Sequence, residues 1–170
     1  MTVYDSRDAR RADLQSLYTR EVRTIYGFLL ARCGDRHLAE DLTTETFINA
    51  ADRFADGRDR EVTGAWLITT ARRRLIDHWR RTASQRTRIE RLGRETVLET
   101  GGEDDGDSHD RVLTALSTLP ERQRAALSMR YMDEMSVSEV AEALDVTYQA
   151  AESLLARARR SFVLAFGATS

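Results

Sequence analysis

Helix-breaking residues are scarce along this chain. Its 170 residues include a single proline, Pro120, and nine glycines. An all-β sandwich or barrel needs turn residues about every 8–12 positions, and this chain has too few. Hydrophobic residues make up 41% and charged residues 32%, a balance typical of soluble helical proteins. The sequence therefore predicts an all-α fold with long helices.

Apolar residues recur at steps of three and four through the first half of the chain. This period is that of amphipathic helices sharing a small core. It predicts three of them, over about residues 10–32, 38–54 and 63–81.

The second half carries start signals for shorter helices. Pro120 suits the first turn of a helix that we expect to reach Met132. Ser136 and Glu139 form a capping-box pattern ahead of a helix over residues 137–144.

A tight turn should follow. Asp145 tolerates left-handed backbone, and Thr147 can cap a last helix over residues 148–166. This spacing is that of a helix-turn-helix, although an ordinary αα-hairpin has it too.

Charge is distributed unevenly. All 26 basic residues are arginine, and the formal net charge is −2. The densest run, residues 72–94, holds nine arginines and two acids. Guanidinium groups bind phosphate in a bidentate manner, so this run suits a nucleic acid. A solvated helix face in a lysine-free composition explains the same run, and charge alone does not separate the two.

An acidic stretch divides the chain. Residues 101–108 read GGEDDGDS and contain no apolar residue. We expect a flexible acidic linker over residues 84–110, between a domain at 10–83 and a second at 111–168. A plain tether explains its charge, and the alternative is that it occupies the arginine run when DNA is absent.

Several function classes lose support. Cys33 is the sole cysteine, so no intramolecular disulfide forms. No apolar run is long enough for a signal peptide or a membrane span, which predicts a cytoplasmic protein without membrane insertion. His37, His78 and His109 stand in separate segments without metal-ligand spacing, and nucleophile and phosphate-loop motifs are missing. We expect no enzyme, no cofactor, no metal and no small-molecule substrate.

Taken together, the segments resemble the extracytoplasmic-function (ECF) sigma factors, the two-domain promoter-specificity subunits of bacterial RNA polymerase. The resemblance spans about residues 11–83 and 111–166. The motifs that carry it are AEDLTTETF (39–47), AWLITTARRRLIDHWRR (65–81), LSTLPERQRAALSMRY (116–131) and SVSEVAEALDVTYQAAESLLARARR (136–160).

For the first motif, the resemblance implies docking on the clamp coiled coil of core RNA polymerase. The polymerase flap is a further implied partner of the chain. The implied clamp contacts are Glu40, Asp41, Thr44 and Glu45. Carboxylates on neighbouring helical turns suit an arginine-bearing partner. Without the resemblance they form a solvated face. Phe47 is expected in the core.

The second motif is implied to open and read the minus-10 promoter element, with a flipped base held by the loop at about residues 56–63. Strand opening needs a basic track and an aromatic surface. The expected contacts are Arg58, Arg60, Trp66, Arg72, Arg73, Arg74, His78, Arg80 and Arg81. Trp66 and Trp79 lie about 140° apart around the helix, so we expect one in the core and the other exposed.

The last motif is implied to read the duplex minus-35 element. The expected contacts are Tyr148, Gln149, Glu152 and Ser153 on bases, with Arg157, Arg159 and Arg160 on the backbone. Glu152 and Leu154 stand where basic residues are frequent in the family. A carboxylate at Glu152 accepts a hydrogen bond from a cytosine amino group, so we expect a minus-35 sequence that differs from the commonest one.

Two other positions depart from the family pattern. Thr44 stands where glutamine is frequent in the clamp-binding motif, and Arg73 stands where many relatives have asparagine. The first puts one polymerase contact in doubt, and the second puts the usual base preference in doubt.

The main interpretation is a sigma factor that brings core polymerase to promoter DNA, with an anti-sigma factor as a further implied partner. The alternative is a stand-alone helix-turn-helix regulator of duplex DNA. Such a regulator has no need of a clamp-docking face joined to an arginine-rich helix. Because the chain ends at its last helix, we expect no appended regulatory domain.

Overall fold

The computed structural model describes residues 3–90 and 107–168, with side chains described for 7–83 and 111–168. Within these residues the chain is helical and contains no strand, which confirms the predicted all-α class. The helices are α1 (Val3–Cys33), α2 (Arg36–Ala55), α3 (Gly64–Glu90), α4 (Asp107–Ser117), α5 (Glu121–Leu127), α6 (Val137–Ala143) and α7 (Tyr148–Ala168). A 3-10 turn, Asp59–Glu61, precedes α3, and a π-helical turn, Ser128–Met132, continues α5.

These helices pack as two units. Among the described residues, one unit contains 3–30 and 36–75, and the other contains 31–35, 76–90 and 107–168. Of the expected linker, residues 91–106 lie outside the described residues.

The two ends of that linker are helical. Residues 84–90 continue α3 beyond its predicted end, and residues 107–110 begin α4. The segment 84–90 reads SQRTRIE, with neither glycine nor proline, so nothing in it stops a helix even though its apolar period has faded. The helix α4 itself was not predicted as a separate element.

Rows of small and apolar side chains at four-residue spacing build the core of the first unit. Burying one large apolar side chain contributes about 1.5–3 kcal/mol. The buried row on α2 includes a threonine whose hydroxyl donates to the carbonyl of Leu42 at 2.7 Å, so its polar atom is satisfied. The rows are Ile25 and Leu29 on α1, Leu42, Thr46, Ala50 and Phe54 on α2, and Leu67, Ala71 and Leu75 on α3.

Phe47 is buried, as expected. Its ring packs edge-to-face against Tyr18, with ring centroids 4.8 Å apart. Such aromatic pairs add stability beyond the area they bury. The ring therefore joins α1 to α2 and faces away from solvent.

The second unit is built around α5, α6 and α7. Its largest fully buried side chains are Met129, Val140, Leu144 and Leu155. The buried guanidinium of Arg124 donates to the carbonyl of Ser117 at 2.9 Å, and burial lowers its pKa. A buried cation held by a backbone carbonyl links the end of α4 to α5.

Local signals define the start of α6 and the turn between α6 and α7. The side chain of Ser136 accepts from the amide of Glu139, whose carboxylate accepts from the amide of Ser136, so the predicted capping box is confirmed. Asp145 has a φ of +53°, in the left-handed region. The amide of Ala150 donates to the Thr147 hydroxyl at 3.2 Å, which confirms the cap of α7.

Removing the Thr147 cap should destabilise the fold. We expect Thr147→Ala to lower the free energy of unfolding by about 1 kcal/mol, because one amide in the first turn of α7 loses its acceptor. Chemical denaturation of the full chain measures this. Thr147→Ser keeps the hydroxyl and serves as the control. Equal stability of the alanine and serine variants would contradict the capping role.

Candidate nucleic-acid interface

An exposed row of side chains runs along α2. Glu40, Asp41 and Thr44 are exposed, and Glu45 is partly exposed. Ile48 continues the row by one turn and keeps 55% of its surface accessible. We call these five residues the acidic stripe. It presents carboxylates beside one apolar side chain, a combination that suits a basic, amphipathic partner helix.

Arg74, one of the expected DNA contacts, reaches α2 at the end of this stripe. Its Nη2 donates to Oδ1 of Asn49 at 2.9 Å, and its Nη1 lies 3.8 Å from Oε2 of Glu45. The contact ties α3 to α2 and occupies part of the guanidinium. The sequence pattern did not identify Asn49 as a partner of Arg74. Three consecutive arginines do not show which of them turns towards α2.

The outer side of α3 carries an aromatic residue and two arginines. Trp66, Arg73 and Arg80 stand seven residues apart and therefore share one side of the helix. The opposite side is the buried row, which ends in a tryptophan that is 3% exposed, while Trp66 is partly exposed. This confirms the expectation that the two tryptophans differ in burial. The buried row is Leu67, Ala71, Leu75 and Trp79.

The other two arginines of the triplet at 72–74 differ in solvent exposure. Arg73 is exposed. The guanidinium carbon of Arg72 lies 5.9 Å from the centre of the Phe28 ring, so its charge lies over an aromatic face. Of the triplet at 72–74, the middle residue therefore extends furthest into solvent.

Three expected contacts further along α3 belong to the second unit. Nε2 of His78 lies 3.1 Å from Oε1 of Glu121. Nε of Arg80 donates to the carbonyl of Ala143 at 3.3 Å, and Nε of Arg81 donates within its own helix. These side chains thus have protein partners in the structure, whereas the sequence analysis predicted all three as DNA contacts.

The loop between α2 and α3 is held by ion pairs. Nη2 of Arg58 lies 3.0 Å from Oε2 of Glu61, and Arg53 bonds to the same carboxylate. Arg53 also lies over the ring of Trp66, with its guanidinium carbon 5.5 Å from the ring centre. Arg60 is exposed. The sequence pattern did not identify Arg53 or Glu61, although the three-residue spacing of Arg58 and Glu61 is that of a helical ion pair.

The first turns of α7 present polar side chains to solvent. Gln149, Glu152 and Ser153 are exposed, and Tyr148 keeps 49% of its surface accessible. Leu154 is only 6% exposed and packs in the core, so it does not lie on this outer face. Leu154 therefore contributes to packing and not to the outer face.

Arginines follow on the next turns of α7. Arg157, Arg159 and Arg160 are exposed. Nε of Arg157 donates to the carbonyl of Ser153 at 3.4 Å, and Nη1 of Arg159 donates to the hydroxyl of Tyr131 at 3.2 Å. The outer face of α7 thus changes from polar and acidic to basic along its length. That order suits base edges near the start of a helix and phosphates beyond.

A groove lies beside this face, between α4, the π-helical turn and α7. Its cavity volume is about 350 Å³, and its rim includes Tyr131 and Arg159. The groove was not predicted from sequence, because its lining comes from three elements separated along the chain. Its apolar lining consists of Val112, Leu116, Leu127, Met132, Phe162 and Val163.

Metal binding, membrane insertion and thiol chemistry are further roles on which the described ranges bear. No group of three or more His, Cys, Asp or Glu side chains there is arranged to hold a metal ion. No helix in the same ranges has the length and apolar character of a membrane span. Cys33 is buried, and burial raises the pKa of its thiol.

Two family models match the chain. The model for sigma-70 region 2 matches residues 17–85, and the model for sigma-70 region 4 matches residues 109–162. The first contains α2 and most of α3, and the second contains α5, α6 and most of α7. The motifs that carried the resemblance therefore fall inside the matched ranges.

Curated relatives agree with these models. The chain is 33% identical to the ECF RNA polymerase sigma factor BldN of Streptomyces coelicolor over 156 residues, which cover 85% of this chain and 57% of that protein. It is 29% identical to the ECF RNA polymerase sigma factor SigM of Bacillus subtilis, covering 86% of this chain and 91% of that protein.

One solved structure matches most of the chain. The sigma factor RpoE of Bartonella quintana, in complex with the anti-sigma factor NepR, gives a TM-score of 0.49 at 18% identity. The match covers 91% of this chain and 97% of that one.

The match to region 2 precedes the match to region 4 along this chain, and both named relatives are ECF RNA polymerase sigma factors. The chain belongs to the ECF family of RNA polymerase sigma factors.

Proposed function

We propose that this chain binds core RNA polymerase and directs it to promoters that it recognises at two elements. The observation that carries the proposal is that two sigma regions in sequence each expose a suitable face, namely the acidic stripe with the outer side of α3, and the outer face of α7. The domains are assigned to residues 10–83 and 111–168. The protein acts without catalysis, in the cytoplasm, where polymerase and promoter DNA are found.

The acidic stripe is the polymerase contact. Its carboxylates attract a basic helix and speed association, and Ile48 supplies the apolar surface that charged groups lack. The partner is the clamp coiled coil. Glu45 also binds Arg74, so the stripe and α3 are mechanically linked, and polymerase docking helps to orient the helix that meets DNA.

The outer side of α3 is the minus-10 surface. Arg73 is exposed and binds a backbone phosphate, and Trp66 is partly exposed and stacks on an unstacked base. The same surface includes Arg58 and Arg60 in the loop before α3 and the remaining predicted contacts, Arg72, Arg74, His78, Arg80 and Arg81. Those with protein partners must exchange them for DNA.

The outer face of α7 is the minus-35 surface. Its first turns hold Tyr148, Gln149, Glu152 and Ser153, which enter the major groove and read base edges. The arginines beyond them bind phosphate. A stand-alone duplex-binding regulator is disfavoured, because the region 2 match and the acidic stripe would have no role in it.

An anti-sigma factor is a further proposed partner. The solved relative is bound to one, and the apolar and charged faces described above are accessible for such an inhibitor. Its binding would compete with polymerase for the same surfaces.

Transcription in vitro tests the proposal. Purified core polymerase with this chain should initiate at a limited set of promoters, and mapped start sites should share sequences at minus 10 and minus 35. Core polymerase alone is the control. Binding of the free chain to specific duplex DNA as a dimer, without any effect on polymerase, would favour the stand-alone regulator.

Glu152 should determine a base in the minus-35 element. A carboxylate accepts from a cytosine amino group, and one such contact gives about 1–3 kcal/mol of discrimination. We expect Glu152→Ala to lose the preference at one position and Glu152→Arg to replace it with a guanine preference. Holoenzyme binding to a minus-35 library measures both. Unchanged base preference in the two variants would contradict this role.

The groove beside α7 is the second polymerase contact. Its apolar floor, bordered by Tyr131 and Arg159, suits an amphipathic helix laid between α4 and α7. The polymerase flap is the occupant, since it would then sit next to the minus-35 duplex held by the same helix.

A matched pair of variants tests the groove. Val163 and Leu164 are both exposed, at 68% and 75%, but only Val163 lines the groove. We expect Val163→Asp to weaken binding to core polymerase by about tenfold, because an unpaired carboxylate would be buried against the partner, and Leu164→Asp to leave it unchanged. Affinity measurements with a labelled chain give the result. Equal effects of both variants, or none, would exclude the groove.

A further inference from the structure

Four side chains form a connected cluster at the base of the loop between α2 and α3. They are Arg53 in the last turn of α2, Arg58 in the loop, Glu61 in the 3-10 turn and Trp66 in the first turns of α3. Glu61 bonds to both arginines, and Arg53 also lies over Trp66. We call this cluster the clasp. It connects both ends of the loop through one carboxylate.

The arginines of the clasp favour the ionised form of the Glu61 carboxylate. The hydrogen bond from Arg58 and the nearby charges of Arg58 and Arg53 hold the pKa of Glu61 below its usual range. The same pairing raises the pKa of Arg58. Glu61 is therefore ionised at neutral pH, and it balances part of the positive charge that two arginines bring to this loop.

Backbone hydrogen bonds close the loop that carries the clasp. The amide of Arg58 donates to the carbonyl of Arg53 at 2.8 Å, and the amide of Glu61 donates to the carbonyl of Arg58 at 3.1 Å. Val62 is buried and anchors the end of the turn. The carboxylate thus acts on a segment whose backbone is already closed by hydrogen bonds, so it orients side chains and does not create the fold of the loop.

The position of Arg53 has a consequence for Trp66. A cation held over an indole ring restrains that ring and shields part of one face from solvent. Glu61 restrains Arg53 in turn, because it accepts from the guanidinium while that group lies over the ring. Glu61 therefore acts on the orientation of Trp66 through Arg53.

We propose that Glu61 is a positioning residue for minus-10 base reading: through Arg53 and Arg58 it holds Trp66 and the loop in one arrangement for an unstacked base. The proposal rests on the proposed function. Glu61 then has two opposite effects, on the affinity for single-stranded DNA and on the discrimination between bases. The carboxylate repels phosphate and lowers the affinity for any single strand, while the fixed arrangement makes the surface selective among bases.

Two variants of equal charge separate position from charge. Glu61→Gln removes one negative charge and weakens the clasp. Asp52→Asn removes one negative charge from an exposed position on α2, outside the loop, and among the described residues the side chain of Asp52 shows no hydrogen bond or ion pair. Both variants should bind non-specific single strands more tightly, because phosphate repulsion falls in each.

Base discrimination is measured with holoenzyme. On a promoter found by start-site mapping, each minus-10 position is replaced by all four bases, and the extent of strand opening is followed with permanganate. We expect the ratio between best and worst base to fall about fivefold or more at one position for Glu61→Gln, and to stay within about twofold for Asp52→Asn. An unchanged ratio in Glu61→Gln, or an equal fall in both variants, would overturn the proposal.

A second readout does not depend on transcription. Trp79 is buried, so acrylamide quenching of tryptophan fluorescence reports mainly on Trp66. Quenching should increase in Glu61→Gln and stay at the wild-type level in Asp52→Asn. No increase in Glu61→Gln would overturn the positioning role. If the wild-type holoenzyme opens no promoter, the proposed function fails, and the quenching result still decides whether Glu61 positions Trp66.

Discussion

The burial of one row of side chains on α3 is the constraint on which the candidate DNA surface depends. Leu67, Ala71, Leu75 and Trp79 pack inward at four-residue spacing, and this sets the rotation of the helix about its axis. Trp66, Arg73 and Arg80 then lie on the outer side because their seven-residue spacing follows the same period. A polar substitution in the inner row would turn or loosen the helix and disturb a surface that it does not touch.

Arginine performs several tasks in this lysine-free chain. Arg124 is buried on backbone carbonyls, Arg74 joins two helices, and Arg53 lies over an indole ring. Arg73 and Arg160 extend into solvent. The planar fork of the guanidinium makes these uses compatible with one residue type, since it can donate to carbonyls, carboxylates and phosphates and can stack on rings. Counting arginines therefore overstates how many are free to meet DNA.

Local signals predicted local structure well. The capping box at Ser136, the left-handed Asp145 and the cap at Thr147 are formed as expected, because each depends on atoms within a few residues. The predicted end of α3, at residue 81, was wrong. A fading apolar period does not stop a helix when no glycine or proline follows. Leu154 lies on the same helix as the predicted base contacts, and its burial was not predicted, because the buried side of α7 is decided by what α7 packs against.

The sequence by itself determined the all-α class, the order of the two sigma regions and the face of each helix that is apolar, because helical periodicity and capping act over short distances. Only the tertiary structure decided which arginines are already engaged, which tryptophan is covered, and that Arg53, Glu61 and Trp66 meet. Such contacts join residues on different elements, and their distances depend on how helices pack and how side chains compete for partners. No pattern along one segment carries that information.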